Sequence, residues 1–254
     1  DQVVKGSNSK EKEFCLFLET KKYKLLNFVI MPSFLFHLKL LFPTWVVLSC
    51  SVTGDCRAKS AVPLFQNGDR VAFVGGGLME RARLNGFLET TLSKAAGAEV
   101  SGLRFRNLGW SGDTVYNDAR SYFGKPQEGR DRLGRIIAEW KPNVVFLNYG
   151  AEVALSEGMP WTDEPEVKKQ SAGKWEDSMK VFLEGYQKLV DAIQKKAGDN
   201  LREVVVVVPP PLENLGPPLP DHQNSNIRIG KIRDALAGFA KRNQAHWVDL
   251  FAHM

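Results

Sequence analysis

The sequence predicts an α/β fold, a three-layer α/β/α sandwich around a central parallel sheet. Three observations carry that expectation. Short apolar runs at Val71–Val74, Asn143–Asn148 and Glu203–Val208 alternate with amphipathic stretches long enough to be helices. The five consecutive valines of Val204–Val208 suit a central strand covered on both faces, as parallel strands are. Asp69–Glu80 (DRVAFVGGGLME) runs from an apolar strand through three glycines into a helical pattern. That order places small residues at the carboxyl end of a strand, where ligands bind in open α/β sheets.

The 254-residue chain divides by composition into residues 1–62 and a domain over 63–254. The first 30 residues are polar and basic without a clean period, and are expected to be an over-extended reading frame ahead of a true start at Met31. From Met31, Lys39 precedes an apolar run from Leu40 to Leu48, and small residues follow. This is the order of a secretory signal, with Ala58 or Ala61 ahead of the cut. VVLSC also resembles a bacterial lipobox, which would lipidate Cys50, although Leu48 is not the usual small residue there. A membrane-anchoring helix over Leu25–Val52 is disfavoured by Pro32, His37, Lys39 and Pro43, because a span needs roughly 18 unbroken apolar residues. The expected localisation is therefore exported: periplasmic, extracellular or lipid-anchored.

Cysteines 15, 50 and 56 all precede the domain, which therefore has neither disulfide nor thiol chemistry. The net charge of +5 is spread over helices that also carry Glu and Asp. No basic stripe interleaved with aromatics appears, so no nucleic-acid partner is expected.

Within the domain, Val71–Val74 reads as a strand and Glu80–Ala96 as a helix, with Leu84, Phe87, Leu88, Thr91 and Leu92 on one face. Glu99–Asn107 is the second strand, alternating at Val100, Leu103 and Phe105. Arg130–Trp140 is a helix, Asn143–Asn148 a buried strand, and Lys174–Lys196 a long helix with Phe182, Tyr186, Leu189 and Ile193 on its apolar face. Glu203–Val208 is a strand, Asn226–Arg242 a helix and Trp247–Leu250 the last strand. Two loops, Glu157–Gly173 with Trp161 and the proline-rich Pro209–Pro220, follow strands and are expected at the carboxyl edge over Gly75–Gly77.

The glycine turn invites a dinucleotide-binding interpretation, which the residues contradict. Glu80 stands where the third glycine of that fingerprint belongs, and its carboxylate would repel a pyrophosphate. No acidic ribose-binding residue follows the second strand. No His/Asp/Glu cluster has metal-ligand spacing, and neither metal nor cofactor is expected.

Four blocks offer another interpretation: FVGGGL, NLGWSGDT (Asn107–Thr114), YGAEV (Tyr149–Val153) and VDLF (Val248–Phe251). In order and spacing they resemble the SGNH, or GDSL-type, hydrolases over Asp69–Met254. FRNLGWSGDT and the PPP–EN–GPPLPD loop resemble a bacterial exported branch. The resemblance implies an esterase or acetyl hydrolase acting on acylated carbohydrate or similar small esters. A first-block serine attacks the ester, a second-block glycine N–H and a third-block asparagine stabilise the oxyanion, and a histidine in an Asp-x-x-His block removes the serine proton.

Carried onto this chain, the match is partial. Gly112 keeps the oxyanion glycine. The serine position falls on Gly77 and the asparagine position on Glu152. The Asp-x-x-His block is not met; Asp249 and His253 are one residue too far apart, and the chain is expected to stop before the pair. Ser111 beside Gly112 is a substitute nucleophile on paper, although bonding its own turn is the simpler role. Asp113 and Thr114 suit a helix or turn cap. His222 in the proline loop is the histidine expected nearest the pocket, while His246 and His253 are expected at the surface or a strand end. Glu80 and Glu152 would be an acid–base pair, or Glu80 simply favours its helix N-terminus. Trp110, Tyr149 and Trp161 would line a sugar pocket or pack as core. The expected substrate-binding set is thus Glu80, Asn107, Trp110, Ser111, Asp113, Tyr149 and His222, around Gly77, Gly112 and Glu152. Two functions remain: an esterase with altered machinery, or a non-catalytic module that binds carbohydrate or a partner. Membrane contact is expected only through the signal or a lipid on Cys50.

Overall fold

The computed structural model describes residues 63–122, 124–155 and 175–254. The expectations for the first 62 residues and for the Glu157–Gly173 loop with Trp161 lie outside these. Among the described residues, five parallel strands form one sheet: β1 (Arg70–Gly75), β2 (Arg104–Gly109), β3 (Val144–Asn148), β4 (Glu203–Val208) and β5 (His246–Asp249). Their spatial order is β2-β1-β3-β4-β5. The helices are α1 (Gly77–Ala82), α2 (Phe87–Ala96), α3 (Pro126–Trp140), α4 (Ala151–Leu155), α5 (Trp175–Ala197) and α6 (Gln223–Arg242).

This is the three-layer sandwich that the alternating pattern predicts. The chain steps one way from β1 to β2 and the other way through β3, β4 and β5, and right-handed crossovers then send the helices to opposite faces. Strand side chains alternate accordingly. Ala72, Val74, Val145, Leu147, Val206 and Val208 pack with Leu133 and Ile137 of α3, Phe182 and Tyr186 of α5, and Ile232 and Leu236 of α6. Val71, Phe73, Val144, Phe146, Val205 and Val207 face the other way, with Phe65, Met79 of α1 and Leu92 of α2. Ile137, Ile232 and Leu236 are fully buried, and each such side chain stabilises the fold by about 1.5–3 kcal/mol.

The predicted helix over Glu80–Ala96 is instead two helices, because Gly86 takes φ +65° and breaks the run before α2. Leu84 and Phe87, placed by periodicity on a buried face, are exposed, whereas Leu92 is buried. β2 begins at Arg104 rather than Glu99. Gly97 and Gly102 have positive φ, and the Gly68 N–H donates to the Ser101 carbonyl, so the stretch before β2 is turn rather than ladder. α3 starts early, at Pro126, where a missing N–H costs nothing.

A candidate active site at the carboxyl edge of the sheet

β1 is the strand from which the chain departs in both directions, so the crevice at the carboxyl ends of β1, β2 and β3 is the topological switch point. Gly75 closes β1. A Cβ there would lie 2.6 Å from the Asn148 carbonyl oxygen, so only glycine permits this approach to the end of β3. At Gly109 a Cβ would lie 2.2 Å from the Glu80 backbone nitrogen, so this glycine lets α1 rest on the end of β2. The Asn107 amide adds a tie, donating to the Met79 carbonyl at 2.7 Å while its Oδ1 accepts from the Gly109 N–H at 2.8 Å.

The second block leaves β2 as a tight turn. The Trp110 N–H donates to the Gly75 carbonyl (2.9 Å), and the Asp113 N–H to the Trp110 carbonyl (3.0 Å). Gly112, the third residue, has φ +76°, which the third position of a type II turn requires and glycine supplies without strain. Ser111 and Gly112 face solvent. The Glu80 carboxylate accepts from the Ser111 N–H at 3.2 Å and from the Ser111 hydroxyl. These bonds, led by the hydroxyl and assisted by Arg83 and Arg81, hold the Glu80 carboxyl below its ordinary pKa, so it is ionised at neutral pH. Gly77 opens α1, and a Cβ on it would stand 3.6 Å from the Ser111 Oγ, an ordinary contact.

Behind the turn lies a buried network. The Asp113 carboxylate accepts from Arg120 Nε (2.7 Å), the Tyr149 hydroxyl (2.8 Å) and the Asn117 amide (3.2 Å). Arg120 also donates to the Leu108 carbonyl, at 2.5 Å. Burial pushes the Asp113 carboxyl up, while Arg120, Tyr149 and Asn117 oppose that shift. Burial, followed by the Asp113 charge, drives the Tyr149 hydroxyl well above its usual range, so it remains a donor. Thr114 bonds Asp118 (2.7 Å) and the Tyr116 N–H (3.2 Å), tying its own turn.

Asn107, Asp113 and Tyr149 were expected to bind substrate. Asp113 and Tyr149 are buried and Asn107 is half-buried, and the bonds described above tie all three into the turn and its supports. Glu152, at the asparagine position, accepts the Gly150 N–H (2.9 and 3.1 Å) and lines a small cavity with Thr114, Tyr116, Ser178 and Phe182. Burial raises its carboxyl to about 7. Glu80 and Glu152 thus bond different partners, Ser111 and Gly150. Among the described residues, no hydrogen bond joins His222 to Gly77, Glu80, Ser111 or Gly112; it precedes α6. His246 bonds Glu203 (3.0 Å) at the opposite edge of the sheet. The Pro209–Pro220 loop has no helix or strand.

What the structure brings together is Gly77, Glu80, Ser111 and Gly112, beside Trp110. Sequence reasoning missed Tyr122 and Arg120. The exposed Tyr122 ring meets Trp110 edge-on, with centroids 5.6 Å apart. Arg120 pairs with Asp113 and lies over the Trp110 ring at 5.7 Å. Nothing in hydropathy marks a buried arginine; the only available signal was its place seven residues after Asp113.

The fold is a three-layer α/β/α domain with strand order 2-1-3-4-5, and the crevice lies at its switch point. The family comparison is more specific: residues 68–254 match the GDSL-like Lipase/Acylhydrolase family, and the chain belongs to it. No curated protein matches. Among solved structures, a gut microbial diltiazem-metabolizing enzyme matches with a TM-score of 0.55 at 19% identity, over 76% of this chain. This chain spans 39% of that enzyme's length, and the likeness is one of fold. A catalytic mutant of Axe2, an acetylxylan esterase from Geobacillus stearothermophilus, matches at 16% identity with a TM-score of 0.49, over 74% of this chain and 78% of its own.

Proposed function

We propose that this domain hydrolyses small acyl esters, with acetylated carbohydrate as the substrate class, and that it acts after export. The observation that carries the reading is the exposed second-block turn. Its Gly112 N–H is taken by no hydrogen bond among the described residues, and a Cβ built on Gly112 meets no atom within 4 Å. A backbone donor left open in an exposed turn is what a tetrahedral oxyanion requires. Family membership supports the ester, and the exposed Tyr122 ring beside Trp110 offers apolar surface for a sugar. The secretory order of residues 31–62 supports export. Gly77 favours a second reading, a non-catalytic carbohydrate-binding module, because the first block carries no hydroxyl.

The test is turnover of p-nitrophenyl acetate and an acetylated oligosaccharide by the full chain. The expected result is hydrolysis above buffer that falls by about 10²-fold or more in Gly112→Pro, which lacks the N–H and cannot take the turn's φ of +76°. Calorimetric binding of the oligosaccharide without release of acetate would replace this reading with the binding module.

A further inference from the structure

We propose that the nucleophile of this chain has moved from the first block to the second: the Ser111 hydroxyl attacks the ester and the Glu80 carboxylate takes its proton. This rests on the ester-hydrolase reading. The position argues for it. The Ser111 Oγ lies 3.6 Å from the place a Gly77 Cβ would occupy, so it borders the volume that a first-block serine side chain would fill. With no side chain at 77, that volume is open to an ester. Ser111 faces solvent, the Glu80 side chain is 31% exposed, and the Ser111 hydroxyl already donates to Glu80. Nucleophile and base are thus in hydrogen-bond contact, as this chemistry requires. The Gly112 N–H follows in the same turn, one residue from the attacking oxygen.

The step balances. The Ser111 Oγ bonds to the ester carbonyl carbon as its proton passes to Glu80, and the carbonyl oxygen becomes the oxyanion. The tetrahedral intermediate collapses, the ester C–O bond breaks, and the departing alcohol takes the proton from Glu80. Water then attacks the acyl-Ser111, Glu80 accepts a proton from it, and the released serine oxygen takes that proton back. The net reaction is ester plus water to acid plus alcohol.

Glu80 faces Ser111 of the opposing turn, Arg83 just past the end of α1 and Arg81 within it, all of which keep it ionised. It is a weaker base than imidazole, so turnover should be slow. It should also persist on acidification through pH about 6.5, where a histidine base would be lost.

The full chain is treated with a fluorophosphonate and digested with trypsin, and the peptide Asn107–Arg120, whose one serine is Ser111, is weighed. The expected result is a phosphonyl adduct on Ser111 that is absent from Ser111→Ala. Hydrolysis of p-nitrophenyl acetate should fall to the buffer rate in Ser111→Ala and by about 10²-fold or more in Glu80→Gln, with partial recovery in Glu80→Asp. Circular dichroism checks that each variant folds, and the adduct on the native chain needs no variant. Native turnover that survives Ser111→Ala, or an adduct on another residue, overturns this proposal and leaves the ester-hydrolase reading standing. A native chain that turns over no ester overturns that reading itself.

Discussion

Within four residues, the Trp110–Asp113 turn meets two opposite environments. Ser111 and Gly112 face solvent, and Ser111 is hydrogen-bonded to Glu80. Asp113 is 2% exposed and holds Arg120, Tyr149 and Asn117. Ser111, on the outward half, can change residue type at little cost to stability, because water solvates whatever stands there, whereas Gly112 is held by its φ of +76°. The inward half cannot, because each buried polar group depends on its partners. The shape of the site is thus held from behind, and the front can lose a first-block serine without losing the turn that presents Gly112.

Removing the inward partner should give the largest effect. Arg120→Leu leaves the Asp113 carboxylate buried without its counter-charge, a change that costs about 3–5 kcal/mol. Denaturant unfolding at neutral pH measures it. Asp113 can shed the charge only by taking up a proton, so the variant should regain stability relative to the native chain on acidification. A loss under about 1 kcal/mol would mean that the pair does not hold the turn.

Glu152 sharpens the contrast, being an inward carboxyl with no cation paired to it among the described residues. Its folded pKa of about 7 lies above the ordinary 4.5, so the folded state binds the extra proton between those values. Its stabilising contribution is fully present below about pH 4.5 and lost as pH rises through 7. The shift corresponds to about 3 kcal/mol at most. Glu152→Gln should therefore gain on the native chain in urea unfolding at pH 8 by up to about that amount, and should narrow the gap toward pH 5. An unchanged difference between the two pH values would place the Glu152 carboxyl in water.

The same division explains how far the sequence could be read. Val71–Val74, Asn143–Asn148 and Glu203–Val208 were legible because buried parallel strands must be apolar on both faces. The break between Ala82 and Phe87 was not, because the apolar period of Leu84, Phe87 and Leu88 runs straight through it; the backbone at Gly86, not hydropathy, separates the two helices. At the site, Gly112 and Ser111 were legible from the second-block motif. Asp113 and Tyr149 were identified as relevant, but their direction was not, since a polar side chain in a turn reads the same whether it meets water or a buried arginine. Arg120 carries no local mark, because only a folded chain brings it back beneath Trp110.

The smallest effect is expected at Gly77, and it decides whether the missing serine is a steric necessity. A Cβ at Gly75 or Gly109 would stand 2.6 or 2.2 Å from backbone atoms, closer than any side chain can. Gly77 is different: its Cβ would meet one hydroxyl at 3.6 Å, and its backbone is not left-handed. Gly77→Ser should therefore leave stability within about 0.5 kcal/mol, as for an uncrowded surface position. A loss above about 1 kcal/mol in thermal or denaturant unfolding would show that α1 requires glycine there. If stability holds, nothing in the packing explains the glycine, and its explanation must lie in what the open volume beside Ser111 admits.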